Sequence, residues 1–252
     1  MCGTCGCGEH HHHDHLHDHE YWHGHEHHHR HHGEGKVITL EQDILQRNNL
    51  LAERNRGYFE AKHIFCLNLM SSPGSGKTTL LEETIRQLNS GATRGLPSQI
   101  YVIEGDQQTS NDAERIRATG RPAIQINTGK ACHLDARQIE KALTQIAMPL
   151  AGYLFIENVG NLVCPAEFAV GEDDKGVVLS ITEGDDKPMK YPLIFKESAI
   201  ALLNKVDILP YCNFDMAAAR EDITTLHPGM PIIEVSCTKD QGLDTWCQWL
   251  KD

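Results

Sequence analysis

The chain has 252 residues, 40% of them hydrophobic, which is enough for one main domain with a packed core. A formal charge of −12 with neutral histidines argues against nucleic acid as a partner, because such proteins carry a basic face. No run approaches the roughly 18 apolar residues of a membrane-spanning helix, and no charged leader precedes an apolar stretch, so the sequence predicts a cytoplasmic protein without membrane contact.

Residues 1–36 form a low-complexity segment that holds fourteen of the seventeen histidines, interleaved with Asp, Glu and Gly. Such a composition cannot bury a core and predicts a disordered tail, separate from a domain over 37–252. Leu40, Ile44, Leu51 and Tyr58 recur near helical spacing and predict a helix to about Phe59. Next come a buried strand at Ile64 to Met70, a Gly-rich turn and a helix from Thr78 to Leu88. Strands follow at 100–103, 123–126, 153–156, 177–181, 199–203 and 232–235, with helices at 111–118, 134–147, 216–226 and 243–250. Short β-rich apolar runs separated by helices predict an α/β fold, a mostly parallel sheet covered on both faces. Ligands of such sheets bind at the carboxyl ends of the strands.

Every chemical motif falls at those ends. Ser71-Ser-Pro-Gly74-Ser75-Gly76-Lys77-Thr78-Thr79 follows a strand and opens a helix, the context that a phosphate-binding loop requires. Small residues let backbone N–H groups turn around phosphate oxygens, Lys77 reaches the terminal phosphates, and the Thr78 hydroxyl suits Mg²⁺. The usual first glycine is Ser71 here. Asn204-Lys205-Val206-Asp207, with Ser236-Cys-Thr after the last strand, resembles a guanine-reading signature. The Asp207 carboxylate can accept from guanine N1–H and the exocyclic amine, a pair adenine lacks, so GTP and GDP are the expected nucleotides. Asp106 and Glu157 end strands where a carboxylate can touch Mg²⁺ or orient the attacking water, and the sequence does not divide these roles between them. No arginine finger stands out, although Arg115 and Arg117 lie on a neighbouring helix.

Nine cysteines, an odd count with three crowded into Cys2-Gly-Thr-Cys5-Gly-Cys7, favour reduced thiols that include metal ligands. Three thiolates within six residues, with a backbone or terminal nitrogen, suit a tetragonal Ni(II) or Cu(II) site better than tetrahedral zinc. The histidine stretch is interrupted by acids, its longest run being His10 to His13, and reads as a native metal reservoir rather than an affinity tag. Cys132, His133 and Cys164 form a third candidate set beside the nucleotide motifs. Cys164 shares a loop with Glu157 to Gly160, so nucleotide state could alter metal affinity, and a symmetric dimer could bring two sets together. Cys66, Cys212, Cys237 and Cys247 read as small buried hydrophobes.

Taken together, Cys2-Gly-Thr-Cys-Gly-Cys, the Ser71 loop, Glu104-Gly-Asp-Gln-Gln-Thr, Cys132-His-Leu-Asp, Glu157-Asn-Val-Gly-Asn-Leu-Val-Cys and Asn204-Lys-Val-Asp resemble the hydrogenase nickel-incorporation GTPases, the HypB family of SIMIBI-type P-loop GTPases. The resemblance implies insertion of nickel into the large subunit of a [NiFe] hydrogenase, GTP-dependent homodimerisation and partnership with a second nickel-binding maturation factor. It also implies a high-affinity site at Cys2, Cys5 and Cys7, and a nickel or zinc site at Cys132, His133 and Cys164. Two other readings stay open: a urease-type nickel GTPase, and a nickel-storage protein whose nucleotide controls assembly without turnover.

Overall fold

A computed structural model describes residues 34–90, 99–106, 111–148 and 150–252, with the side chains of 34–41 and 90 left out. Cys2, Cys5, Cys7 and the histidine-rich stretch lie outside the described residues. In chain order the elements are α1 (Glu34–Lys62), β1 (Ile64–Ser71), α2 (Lys77–Ser90), β2 (Ile100–Asp106), α3 (Asn111–Ala118), β3 (Ala123–Asn127), α4 (Ala136–Leu143) and β4 (Gly152–Glu157). There follow α5 (Cys164–Glu167), β5 (Asp174–Ser180), α6 (Lys187–Lys190), α7 (Pro192–Lys196), β6 (Ile200–Asn204), a 3₁₀ turn (Val206–Tyr211), α8 (Met216–Leu226), β7 (Ile232–Val235) and α9 (Leu243–Trp249).

Among the described residues seven strands form one sheet in the order β3-β2-β4-β1-β5-β6-β7, every pairing parallel, as the alternating pattern predicts. Strand alternation divides the core between two covered faces. Leu67, Leu69 and Phe155 point to one face, where Leu81, Ile85, Ile116 and Trp246 from α2, α3 and α9 cover them. Cys66, Leu154 and Ile156 point to the other, under Phe59 of α1 and Ile139 of α4, while α7 and α8 cover β5 and β6 on that side. Trp246 satisfies its buried indole N–H on the Thr84 Oγ1 at 2.8 Å, which fixes α9 to α2. Cys66 and Cys247 are buried in these cores, and Cys212 and Cys237 pack against them.

Three differences from the sequence reading have local causes. The helix expected from Leu134 starts at Ala136, because Asp135 forms a capping box with Gln138 that satisfies two orphan N–H groups. Strand β2 runs three residues beyond Ile103, since Glu104 is held between β3 and β4 and Gly105 and Asp106 pair on with β3. The short helices α6 and α7 carry proline in their first turn, which reads as a loop signal but also presets a helical φ. No helix among the described residues is long and apolar enough to cross a membrane.

Candidate nucleotide pocket and metal cluster

The loop between β1 and α2 turns through Gly74 and Gly76, at φ of 72° and 100°, values that L side chains rarely adopt. A Cβ on Gly76 would lie 2.6 Å from the Asn204 amide nitrogen, so the phosphate loop and the Asn204 loop are packed together. Ser71, where a glycine is usual, ties the loop together. Its Oγ accepts from Lys77 Nζ at 2.7 Å and from Ser75 Oγ at 2.5 Å, and donates to the Ser72 carbonyl at 2.7 Å. Burial lowers the Lys77 pKa, and the surrounding carboxylates, Glu157 first, oppose that shift.

This loop floors a cavity of about 520 Å³ that Glu104, Asp106, Asp112, Arg115, Glu157 and Lys205 also line. Glu104 and Glu157 are register partners at the ends of β2 and β4. Glu157 Oε1 accepts from Thr78 Oγ1 at 2.8 Å, while Oε2 of each glutamate is buried without a partner. Burial pushes the Glu157 carboxyl up to about 7, against the Lys77 ammonium and the Thr78 hydroxyl. Burial, reinforced by Glu157, Asp112 and Asp106, pushes Glu104 up to about 8. Arg115 of α3 donates to Thr79 Oγ1 at 2.9 Å and to Glu82 at 2.5 Å, which holds a guanidinium at the cavity edge.

These two glutamates make a stability prediction. Each holds a proton in the fold that it would release in the unfolded chain, whose carboxyls titrate near 4.5. Their contribution to stability therefore falls as pH rises from about 4.5 to about 8. A Glu157→Gln chain without nucleotide is expected to have a higher urea midpoint than wild type at pH 8.5, with a smaller difference at pH 5.5. A lower midpoint for the variant at pH 8.5 would refute the burial argument.

Beyond the phosphate loop, Asn204 donates to the Ser75 carbonyl at 2.8 Å and accepts from the Lys205 N–H at 2.8 Å. That second bond stabilises Lys205 at a φ of 66°, and its ammonium donates to the Gly74 carbonyl at 2.7 Å. Asp207, on the first turn after it, accepts from Ser236 Oγ at 2.6 Å and Thr238 Oγ1 at 2.9 Å. The Ser236 hydroxyl is the main cause that holds its carboxyl below the ordinary range. The site residues expected from the sequence within the described residues, Gly74, Ser75, Gly76, Lys77, Thr78, Thr79, Asp106, Glu157, Asn204, Lys205, Asp207 and Ser236, thus gather at the carboxyl ends of β1, β2, β4, β6 and β7.

The third cluster also assembles. One ligand atom each from Cys132, His133 and Cys164 lies within 4.8 Å of the others. Cys132 Sγ is 2.7 Å from Cys164 Sγ and 3.6 Å from His133 Nδ1. His133 stacks on Phe168 with ring centroids 4.1 Å apart, and burial lowers its pKa, which favours the neutral imidazole that binds metal. The cluster reaches the nucleotide side through Leu134 and Asn158. Asn158 Oδ1, beside Glu157, accepts from the Leu134 N–H at 2.9 Å, and Leu134 packs so close to Gly105 that a Cβ there would meet its side chain at 2.6 Å.

Comparison with known proteins agrees with this geometry. Residues 65–234 match the family described as CobW/HypB/UreG, nucleotide-binding domain. The hydrogenase maturation factor HypB of Escherichia coli (strain K12) is 54% identical over 220 residues, covering 86% of this chain and 72% of the relative. The chain belongs to the HypB family. Two solved HypB structures match its fold. The Helicobacter pylori HypB structure in complex with nickel has a TM-score of 0.75 at 37% identity and covers 81% of this chain and 94% of its own. The hydrogenase maturation factor HypB from Archaeoglobus fulgidus has a TM-score of 0.74 at 35% identity and covers 82% and 98%. This HypB-family chain is accordingly a P-loop GTPase.

Glu104 is one cavity-lining residue that sequence reasoning passed over. It stands inside the Glu104-Gly-Asp motif, but only burial beside Glu157 distinguishes it from a solvated strand-end acid. Asn158 was missed likewise, as a mere part of the Glu157 motif.

Proposed function

We propose that this HypB-family GTPase carries nickel as cargo to the large subunit of a [NiFe] hydrogenase, with hydrolysis timing release from Cys132, His133 and Cys164. The observation that carries the reading is the two-thiolate, one-imidazole cluster joined to the nucleotide loops by Asn158 and Leu134. Thiolate with imidazole suits Ni(II) and also Zn(II), so zinc is the second occupant this donor set admits. Cys2, Cys5 and Cys7 provide a separate nickel site on the N-terminal segment, and the histidines a reservoir. The protein works in the cytoplasm, as a homodimer favoured by GTP, with a second nickel-binding maturation factor as partner.

The fold family implies Mg²⁺, and the donors present fit it: a threonine hydroxyl and two buried carboxylates with partnerless oxygens, all hard ligands beside the phosphate loop. Thr78, Glu157 and Glu104 would hold the ion, which neutralises phosphate charge when bound. Lys77 meets the phosphate oxygens, and loop N–H groups cradle them. Asp106 orients the attacking water from the cavity edge. Asp207 reads the guanine edge while Lys205 packs over the base.

The test pairs two readouts on a Cys132→Ser, Cys164→Ser chain. Nickel content of the hydrogenase in cells is expected to fall by about tenfold or more, as loss of metal ligands costs at least what loss of their supports does. Phosphate release from GTP should persist. Unchanged hydrogenase nickel would remove the cluster from the delivery route.

A further inference from the structure

Two asparagines of α1 sit behind the metal cluster and belong to neither site described above. Asn48 is 7% exposed and Asn55 3%. The Asn48 Oδ1 accepts from the Ala136 N–H at 2.9 Å, and its Nδ2 donates to the Ala169 carbonyl at 2.7 Å. Asn55 Nδ2 donates to the Ala136 carbonyl and the Val170 carbonyl, each at 2.9 Å. Both side chains therefore bridge the same two segments. Ala136 follows Cys132-His133 by three residues, and Ala169-Val170 follow Phe168, the ring on which His133 stacks, in the segment that Cys164 opens.

The chemistry of those contacts is demanding. Ala136 is the first residue of α4, and its N–H has no partner within the helix, so a buried acceptor must come from elsewhere. An amide that accepts on one side and donates on the other satisfies two loops at once. The docking is tight as well. Gly171, at a φ of 103°, comes so close to α1 that an added Cβ would lie 2.5 Å from Asn55 Cβ and 2.8 Å from the Ala52 carbonyl. No residue other than glycine fits there without moving the segment off the helix.

We propose that Asn48 and Asn55 are positioning residues for the metal cluster: they fix the Cys132-His133 segment against the Cys164 segment, so that two thiolates and one imidazole face a single ion. The proposal rests on the reading of Cys132, His133 and Cys164 as a metal site. Neither asparagine belongs to the ligand set or lines the nucleotide pocket, and each acts through the backbone that carries the ligands. A thiolate pair from two loops binds well only where the loops arrive preset, and outer supports of this kind typically set about ten- to hundredfold in affinity.

The experiment uses the full chain with Cys2→Ser, Cys5→Ser and Cys7→Ser, titrated with Ni(II) and followed by the thiolate-to-metal charge-transfer band, to which tail imidazoles contribute nothing. Adding Cys132→Ser and Cys164→Ser should abolish the band. A band that survives overturns the metal-site reading itself, and with it this proposal. In the parent background, Asn48→Ala and Asn55→Ala should each raise the dissociation constant about ten- to hundredfold and shift the band. GDP affinity should stay within about twofold, as for sites that share no partner. Asn48→Asp keeps the volume and the acceptor for Ala136 but sets a carboxylate oxygen against the Ala169 carbonyl, so it should weaken nickel binding without unfolding the chain. Wild-type affinity and band position in all three asparagine variants would overturn the proposal, and so would parallel losses of GDP and nickel binding.

Discussion

Replacing Lys77 with alanine is expected to lower GTP turnover by about 10²- to 10³-fold, the usual effect of removing one preorganised charge from a reacting oxygen. Two losses coincide in this variant. The ammonium that would meet the phosphates is gone, and so is the cation that faces Glu157. Without it the Glu157 carboxyl climbs further above its present value of about 7, so more of it is protonated and less of it can hold a divalent cation. Ser71 and Ser75 keep their mutual hydrogen bond, so the loop itself should stay closed.

Lys77→Arg separates charge from geometry. A guanidinium keeps the positive charge, but its planar fork does not fit a pocket where the ammonium rests 2.7 Å from Ser71 Oγ with only 7% of the residue exposed. It should therefore rescue little. Single-turnover phosphate release at saturating GTP measures the effect, with GDP affinity as the control for binding. A Lys77→Ala rate within tenfold of wild type would mean that the lysine is structural and that hydrolysis depends on another cation lining the cavity, Arg115 or Lys205.

The sequence carried the fold and the two sites unequally, for physical reasons. The phosphate loop, the Asn204 loop and the Cys132-His133 pair are contiguous, and their residue types are dictated by ligand chemistry, so they could be read directly. Cys164 was placed with them because its loop begins at Glu157, and parallel pairing of β4 between β1 and β2 puts that loop at the nucleotide edge. Glu104 was not legible: a strand-end glutamate is solvated by default, and only its pairing with Glu157 in the finished sheet buries it. Asn48 and Asn55 were silent for a similar reason. An asparagine on an amphipathic helix reads as its polar face, and the partners at 136, 169 and 170 lie far away along the chain. Long-range polar contacts of this kind leave no local period in the sequence.

Asp207→Asn should reverse the choice of base. In the native fold both carboxylate oxygens already accept, one from Ser236 and one from Thr238, and under the proposed reading their remaining lone pairs are the ones that meet guanine. An asparagine presents a donor where guanine also donates, so two charge-assisted hydrogen bonds become one neutral bond and one clash. At about 1.5–3 kcal/mol for each bond to a charged group, GTP affinity should fall by about 10²- to 10⁴-fold. The fold has room for the exchange. Serine and threonine hydroxyls can accept as well as donate, so Ser236 and Thr238 can turn to meet the new amide. Xanthine carries a carbonyl where guanine has its amine, and the variant should bind XTP more tightly than GTP. Competition of GTP, XTP and ATP against a fluorescent GDP analogue reads all three. If ATP gained as much as XTP, the pocket would be enforcing shape alone; a selective gain for XTP assigns base choice to the two oxygens of Asp207.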